Sequence, residues 1–328
     1  MRAIVSTPDG AVLREVPRPT PRPDEVLVRV RAGALNRADL SMLKGASHGR
    51  VGGPGAPLGL EWAGEVVEVG AEVERWRVGD RVMAASGGAF AEYAVGHARR
   101  IYPIPGSLSF EQAATLPVAL QTMHNAIATN GALEAGQSVL VQGASSGVGL
   151  LAMQVAKVLG AGLGVGSATS PERRARLGVF GADLAVDTGA PDWVEQVTAA
   201  TDGKGVDLLI DQVAGSLMNA NMKATRIGGR IVNVGRLGGM RGEFDFDLHA
   251  LRRITYVGVT FRTRGAAEVE RIVERTTEAL WSALAEGRLS LPIDRIYPLA
   301  SAPEAFERMK RNDHFGKIVL ADASVAGI

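Results

Sequence analysis

The segment with the clearest chemistry is Gly143-Ala144-Ser145-Ser146-Gly147-Val148-Gly149. Before it lies Ser138-Val139-Leu140-Val141-Gln142, which reads as a buried strand. After it, Val148, Leu151, Ala152, Val155 and Leu159 recur at the spacing of one helix face. Glycines at such a junction permit a tight turn and let backbone N–H groups approach a bound pyrophosphate, whose charge the positive helix N-terminus stabilises. A glycine-rich turn alone says little. The strand before it and the helix after it point to a dinucleotide site that includes Ser145, Ser146, Gly147 and Val148.

Two dinucleotide-binding families use this GxxxGxG spacing. Short-chain reductases carry it near the N-terminus and work with a Tyr-x-x-x-Lys pair. Here Tyr93, Tyr102, Tyr256 and Tyr297 are followed four positions later by His97, Gly106, Thr260 and Ser301, so the short-chain reading fails. The choice of dinucleotide depends on the end of the second strand, where an NAD site usually offers an acid to the ribose 2′-OH. The stretch Gly164-Val165-Gly166-Ser167-Ala168-Thr169-Ser170 has none, and Arg173 and Arg174 follow. A carboxylate there would repel a 2′-phosphate, whereas the hydroxyls of Ser167, Thr169 and Ser170 and a guanidinium would bind it. NADPH is therefore favoured over NADH. Ser170 has a competing role as a helix N-cap, and either arginine could lie on a solvated helix face.

The elements that must position these groups fall into two textures. Up to about residue 121, short strands (Glu25 to Arg31, Ala63 to Val69, Arg81 to Ala84) are punctuated by Gly and Pro, as in a barrel-like or partly open β domain. From Thr122 onward, strands alternate with helices, which predicts right-handed βαβ units and a doubly wound parallel sheet. The expected strands are Ser138 to Gln142, Gly162 to Gly166, Asp207 to Ile210, Arg230 to Val234 and Thr255 to Phe261. The expected helices are Pro171 to Phe180 and Met218 to Arg226. A long helix, Ala266 to Glu286, then leads to a helix at Pro303 to Arg311 and a strand at Lys317 to Leu320, a tail expected to return to the first domain. The domain expectation is 1–121 with 265–328, and 122–264.

The 328 residues suit two domains, and 46% hydrophobic with 22% charged residues is a globular balance. Lys plus Arg (36) nearly cancels Asp plus Glu (35), so a net charge of +1 offers no electrostatic case for nucleic acid. Cysteine is absent, which removes disulfides, thiolate zinc sites and a cysteine nucleophile, and suits a reducing cytoplasm. The first residues lack the apolar core of a signal peptide, and no apolar run is long enough for a membrane span. The expectation is a soluble cytoplasmic protein with a small-molecule substrate.

Several further motifs complete the pattern: Leu35-Asn36-Arg37-Ala38-Asp39-Leu40, Gly59-Leu60-Glu61-Trp62-Ala63-Gly64-Glu65-Val66, Gly181-Ala182-Asp183, Val206-Asp207-Leu208-Leu209-Ile210-Asp211 and Phe315-Gly316-Lys317-Ile318-Val319-Leu320. Together with the cradle they resemble the quinone oxidoreductase branch of the medium-chain dehydrogenase/reductase superfamily over nearly the whole chain. The resemblance implies a GroES-like β-barrel substrate domain, a Rossmann cofactor domain, and a nicotinamide in the cleft between them. It puts Asn36 and Thr122 near the nicotinamide, Ser146, Gly147 and Val148 under the pyrophosphate, Arg173 at the 2′-phosphate, and Gly235 on a loop beside the cofactor. Thr188, Val234, Phe261 and Gly316 are its further cofactor-facing positions. Zinc-using relatives carry Gly-His-Glu and several cysteines. Here Gly59-Leu60-Glu61 has leucine at the histidine position, and the five histidines show no metal-ligand spacing, so no catalytic zinc is expected. Quinone reductases often carry tyrosines after the asparagine motif; Ser41 to His48 has none, which puts a quinone substrate in question.

Without a metal to polarise a simple carbonyl, a conjugated acceptor is the easier substrate, because a quinone or enone spreads the incoming charge onto oxygen. The protein then needs to hold the acceptor near the nicotinamide C4 and offer a hydrogen-bond donor to the developing oxyanion. Asn36 is the first candidate donor. Lys44, His48 or water could supply the proton. A zinc-free ketone reductase and a non-catalytic NADPH-binding protein of crystallin type are the alternatives. The uncharged run Thr255 to Phe261 should be the last strand of the parallel sheet, an edge suited to pairing with a second copy in a homodimer.

Overall fold

The computed structural model describes residues 1–8, 10–49, 51–53 and 55–321. Two compact units divide the chain, Met1–Val118 with Phe261–Ile328, and Ala119–Thr260. Among the described residues no helix is long and apolar enough to cross a membrane.

The second unit is a six-stranded parallel sheet. Its order is Leu184–Val186, Leu163–Ser167, Ser138–Val141, Val206–Asp211, Thr225–Asn233 and Thr255–Gly258. The chain starts in the middle, moves outward to one side and then returns to build the other, the doubly wound arrangement expected from alternating strands and helices. Leu140, Val165, Leu209 and Ile231 from the strands, with Trp193 and Met222 from the helices, form its apolar core. The helix after the glycine-rich turn spans Gly147–Val158 and is buried from Gly149 through Ala156. The one-sided face read from the sequence is therefore too narrow: this helix is apolar nearly all round, and such helices are enclosed.

Three other expectations need correction. The segment 171–180 is not one helix but an α-turn at Pro171–Arg174 and a 3₁₀ turn at Leu177–Phe180 that ends at Gly181. Met218–Ala224 ends before Thr225, and Thr225 and Arg226 instead open the next strand. The terminal strand covers only Thr255–Gly258, with Thr255, Tyr256 and Gly258 exposed. It is the last in the sheet, and no described strand pairs with its outer side.

The first unit is built on a seven-stranded mixed sheet. The order runs Ile293–Pro298, Lys317–Ala321, Glu25–Ala34, Trp62–Val69, Arg81–Ala84 and Tyr102–Pro103, with Tyr93–His97 also paired to Glu25–Ala34. The strand Glu25–Ala34 is central and is buried on both faces for much of its length, which is why its alternation in sequence is imperfect. Strands from the end of the chain thus lie beside the first long strand, with Val319 opposite Ala34 and Ala321 opposite Ala32. Trp62, Phe90, Leu35 and Met42 pack with Phe306, and the Phe90 and Phe306 rings meet edge to face at 6.0 Å. The helix Ala302–Arg311 carries Phe306 and Met309 into this core while its charged residues stay outside.

Candidate active site

In the parallel sheet, the cradle residues 143–148, Thr169 to Arg173, Thr188, and Val234 with Gly235 each follow the carboxyl end of a strand. Parallel topology therefore collects on one edge residues that are far apart in sequence, and this is where open α/β sheets bind ligands. Ser146 caps the helix Gly147–Val158 by accepting from the Gly149 N–H at 3.0 Å. Gly147 and Val148 supply the first helical N–H groups, which have no partner within the helix. Gly143 adopts φ +69°, and a Cβ on Gly149 would sit 2.6 Å from the Gly143 carbonyl oxygen. The turn is closed to side chains at the points where a pyrophosphate needs backbone, so the residues fit a dinucleotide.

Beneath the cradle lies a polar network that sequence reasoning did not single out. The Ser167 hydroxyl donates to Gln142 Oε1 at 2.5 Å and accepts from the Gly143 N–H at 3.0 Å. Gln142 Nε2 donates to Asn221 Oδ1, while the Ser146 hydroxyl donates to Gln212 Oε1 at 3.1 Å. The Asp211 carboxylate accepts from the N–H groups of Val213 and Ala214 and from Asn233 Nδ2. Buried amides bonded in this way fix the turn in one shape. Ser167 thus faces inward, whereas Thr169 is exposed and Ser170 caps the following turn through the Arg173 N–H. The signal that could have found the network was polar residues ending apolar strands: Gln142 after Val141, and Asp211-Gln212 after Ile210.

Arg174 donates to the carbonyl oxygens of Ala168 at 2.7 Å and Thr169 at 3.3 Å and pairs with Asp187 at 3.0 Å. The acid that follows the strand Leu184–Val186 is thereby neutralised. Arg173, the other arginine of the pair, is half-buried, as are Thr122 on the helix Pro117–His124, Thr188, Val234 and Gly235. Val234 and Gly235 donate their N–H groups to the Asp211 carbonyl oxygen at 2.7 and 3.1 Å.

In the other unit, Asn36 is 8% exposed and sits in a cluster of charges. Its Oδ1 accepts from Lys317 Nζ at 2.9 Å and its Nδ2 donates to Glu61 Oε1 at 2.9 Å. Lys317 and Glu61 pair at 2.5 Å, with side chains 5% and 0% exposed. Asp39 Oδ2 accepts the Asn36 backbone N–H at 2.7 Å, while Asp39 Oδ1 is buried without a hydrogen-bond partner. Burial pushes the Asp39 carboxyl up to about 7, against the opposing pull of the Asn36 N–H and the Lys317 charge. Glu61 and Lys317 were missed as site residues. Their signal was a charge flanked by apolar residues, Leu60-Glu61-Trp62 and Lys317-Ile318-Val319. Phe261 opens the returning segment of this unit, and Gly316 lies immediately before Lys317. Of the suggested proton donors, Lys44 is exposed, and burial together with the nearby Arg262 charge holds His48 below its ordinary value, which leaves it neutral near pH 7.

Comparison with known proteins agrees with this architecture. The alcohol dehydrogenase GroES-like domain family matches residues 22–106, and the zinc-binding dehydrogenase family matches residues 147–278. A solved NAD-dependent alcohol dehydrogenase is 30% identical with a TM-score of 0.86, the match covering 98% of this chain and 99% of that one. The chain belongs to the medium-chain dehydrogenase/reductase superfamily. Its members are oxidoreductases that bind a nicotinamide dinucleotide. A quinone oxidoreductase of Pseudomonas syringae pv. Tomato is 28% identical with a TM-score of 0.85, over 98% of this chain and 99% of that one. A mycocerosic acid synthase-like polyketide synthase of Mycobacterium tuberculosis is 30% identical over 305 residues, 92% of this chain and 14% of that protein. The chain thus spans about one seventh of the length of such curated relatives.

The Asp39 shift has a thermodynamic consequence. A carboxyl raised in the folded state binds its proton more tightly there than in the unfolded chain. Its contribution to stability is therefore whole below about pH 4 and is lost as the pH rises towards 7. Asp39→Asn keeps an acceptor for the Asn36 N–H and removes the titration. Thermal melts from pH 5 to pH 8 should show the variant gaining on the wild type by roughly 4 °C or more. A difference that stays constant across this range would mean that Asp39 titrates as an ordinary carboxyl.

Proposed function

We propose that the chain is a zinc-independent, NADPH-dependent oxidoreductase that reduces quinones or α,β-unsaturated carbonyl compounds by hydride transfer. The observation that carries this reading is the donor set around Glu61. Where zinc-using relatives have Gly-His-Glu, this chain has Leu60, and its Glu61 is engaged by Lys317 and Asn36. Cysteine is absent, and among the described residues no three His, Asp or Glu side chains converge as a ligand set. A chain without thiolate ligands suits acceptors that need no Lewis acid. The likeness to a quinone oxidoreductase, and to part of a polyketide synthase named highly reducing (gloL of Glarea lozoyensis, 30% identical over 301 residues), supports the same class.

When bound, NADPH would supply the hydride from its nicotinamide C4. Gly147, Val148 and the Ser146 cap would hold the pyrophosphate, and Arg173 the 2′-phosphate, since Arg174 already neutralises Asp187. Asn36 would donate through Nδ2 to the oxygen on which charge develops, and solvent would return the proton because His48 is neutral. The open edge at Thr255–Gly258 supports assembly of two chains by antiparallel pairing across a twofold axis.

Turnover of 9,10-phenanthrenequinone, simple enones and ketones with NADPH or NADH is the direct test. The conjugated acceptors should turn over faster than ketones, NADPH should bind at least several-fold more tightly than NADH, and Arg173→Ala should narrow that gap. Reduction of ketones alone, or equal affinity for the two cofactors, refutes the corresponding part. Exhaustive chelation should leave the rate intact; stoichiometric zinc whose removal abolishes the rate would overturn the metal-free reading. Sedimentation should give a dimer at micromolar concentration, which Tyr256→Pro weakens by removing a donor from the outer side of the edge strand, the Val259 N–H of opposite parity being bonded to the Asn233 carbonyl oxygen inside the sheet; a wild-type monomer contradicts the assembly.

A further inference from the structure

The two ends of the Asn36 amide are each held by a full charge. Oδ1 faces the Lys317 ammonium and Nδ2 faces the Glu61 carboxylate, each at 2.9 Å, and the two charges touch each other at 2.5 Å. Turning the amide over would set NH₂ against the ammonium and C=O against the carboxylate. Both contacts would be repulsive in a place where water screens little. The carboxylate is itself anchored, because Glu61 Oε2 accepts the Val118 N–H at 2.9 Å. Asn36 is anchored too, through its backbone N–H on Asp39. One Nδ2 hydrogen is therefore committed to Glu61. Among the described residues the other hydrogen is offered the Ala34 carbonyl oxygen, at 3.4 Å, which is long for such a bond.

Stability does not account for this arrangement. A buried ion pair can often be replaced by neutral residues of similar size with little loss, because desolvation offsets the attraction between the charges. What neutral residues could not do is choose between the two faces of an amide whose O and N ends have nearly the same shape.

We propose that Glu61 and Lys317 are positioning residues, whose ion pair locks the Asn36 amide so that its second Nδ2 hydrogen, and not its carbonyl oxygen, is presented to the acceptor's developing oxyanion. The catalytic part of this statement rests on the function proposed above; the lock itself does not. In a conjugated acceptor the charge gathers on oxygen, so a flipped amide would offer a lone pair where a donor is required.

The test uses the double variant Glu61→Gln/Lys317→Met, which removes both members of the pair together, so that neither is left without the other. The full-length variant should fold, keep its NADPH affinity within about 2-fold, and lose roughly 10-fold or more in kcat on 9,10-phenanthrenequinone with little change in KM, the pattern of an interaction made in the transition state. Asn36→Ala should then cost much less in the double variant than in the wild type. A second readout needs no turnover. In ¹⁵N-labelled protein, the Asn36 side-chain amide, identified by its loss in Asn36→Ala, should exchange slowly in the wild type and at least 10-fold faster in the double variant. Rapid exchange in the wild type overturns the lock even if the double variant fails to fold, and so does unchanged exchange in a folded double variant. A kcat that is unchanged beside an active wild type overturns the positioning role. A slowly exchanging amide in a wild type that reduces none of the acceptors leaves the lock standing and removes the proposed function instead.

Discussion

The orientation of Asn36 in the first unit depends on one long-range contact, the buried pair between Lys317 and Glu61, which are 256 positions apart. An unpaired charge at either position would be costly, so the strand Lys317–Ala321 must dock where Glu61 can meet it. The docking is consistent with the ladder, in which that strand pairs with Glu25–Ala34 and brings the end of the chain beside its first long strand. Hydrophobic burial supplies most of the driving force, through Trp62, Phe90 and Phe306 among others. Burial is not directional. The ion pair adds direction, and it does so at the residue that the resemblance places nearest the chemistry.

The same division of labour appears in the second unit. Its apolar strands and helices make a sheet whose strands are parallel and therefore end on one edge. The apolar core does not determine the shape of the turn at that edge. Gln142, Ser167, Gln212 and Ser146 do so through a chain of hydrogen bonds from one strand end to the next. Glycine leaves the backbone open to a phosphate, and the amide network keeps that open backbone from collapsing into other shapes. Asp211 plays a related part by binding the turn after its own strand to Asn233 on the neighbouring one.

Charge placement separates the two ends of the sheet edge. On the side of Leu163–Ser167, Arg174 binds backbone carbonyls and Asp187 together, so that a potential repulsive acid becomes part of the frame. Arg174 is held in place by these contacts with the carbonyl oxygens of Ala168 and Thr169 and with Asp187. The strand Thr255–Gly258 itself carries no charge, Thr255 and Tyr256 are exposed, and among the described strands none pairs with its outer side.

Local pattern alone determined much of this protein. The glycine cradle, its preceding strand and its following helix are written within about twenty residues, because the φ values of glycine, the strand period and the helix period are local properties. The alternation of strands and helices likewise sufficed for a doubly wound sheet, since right-handed crossovers leave few other ways to bury both faces. Tertiary structure decided whatever depends on distant partners. It buried the helix Gly147–Val158 on all sides, divided the 171–180 segment in two, and turned the Ser167 hydroxyl inward. Above all it brought Asn36, Glu61 and Lys317 together. A charge among apolar neighbours marks Glu61 and Lys317 in sequence, but only the strand order gives each buried charge its partner and the amide its orientation.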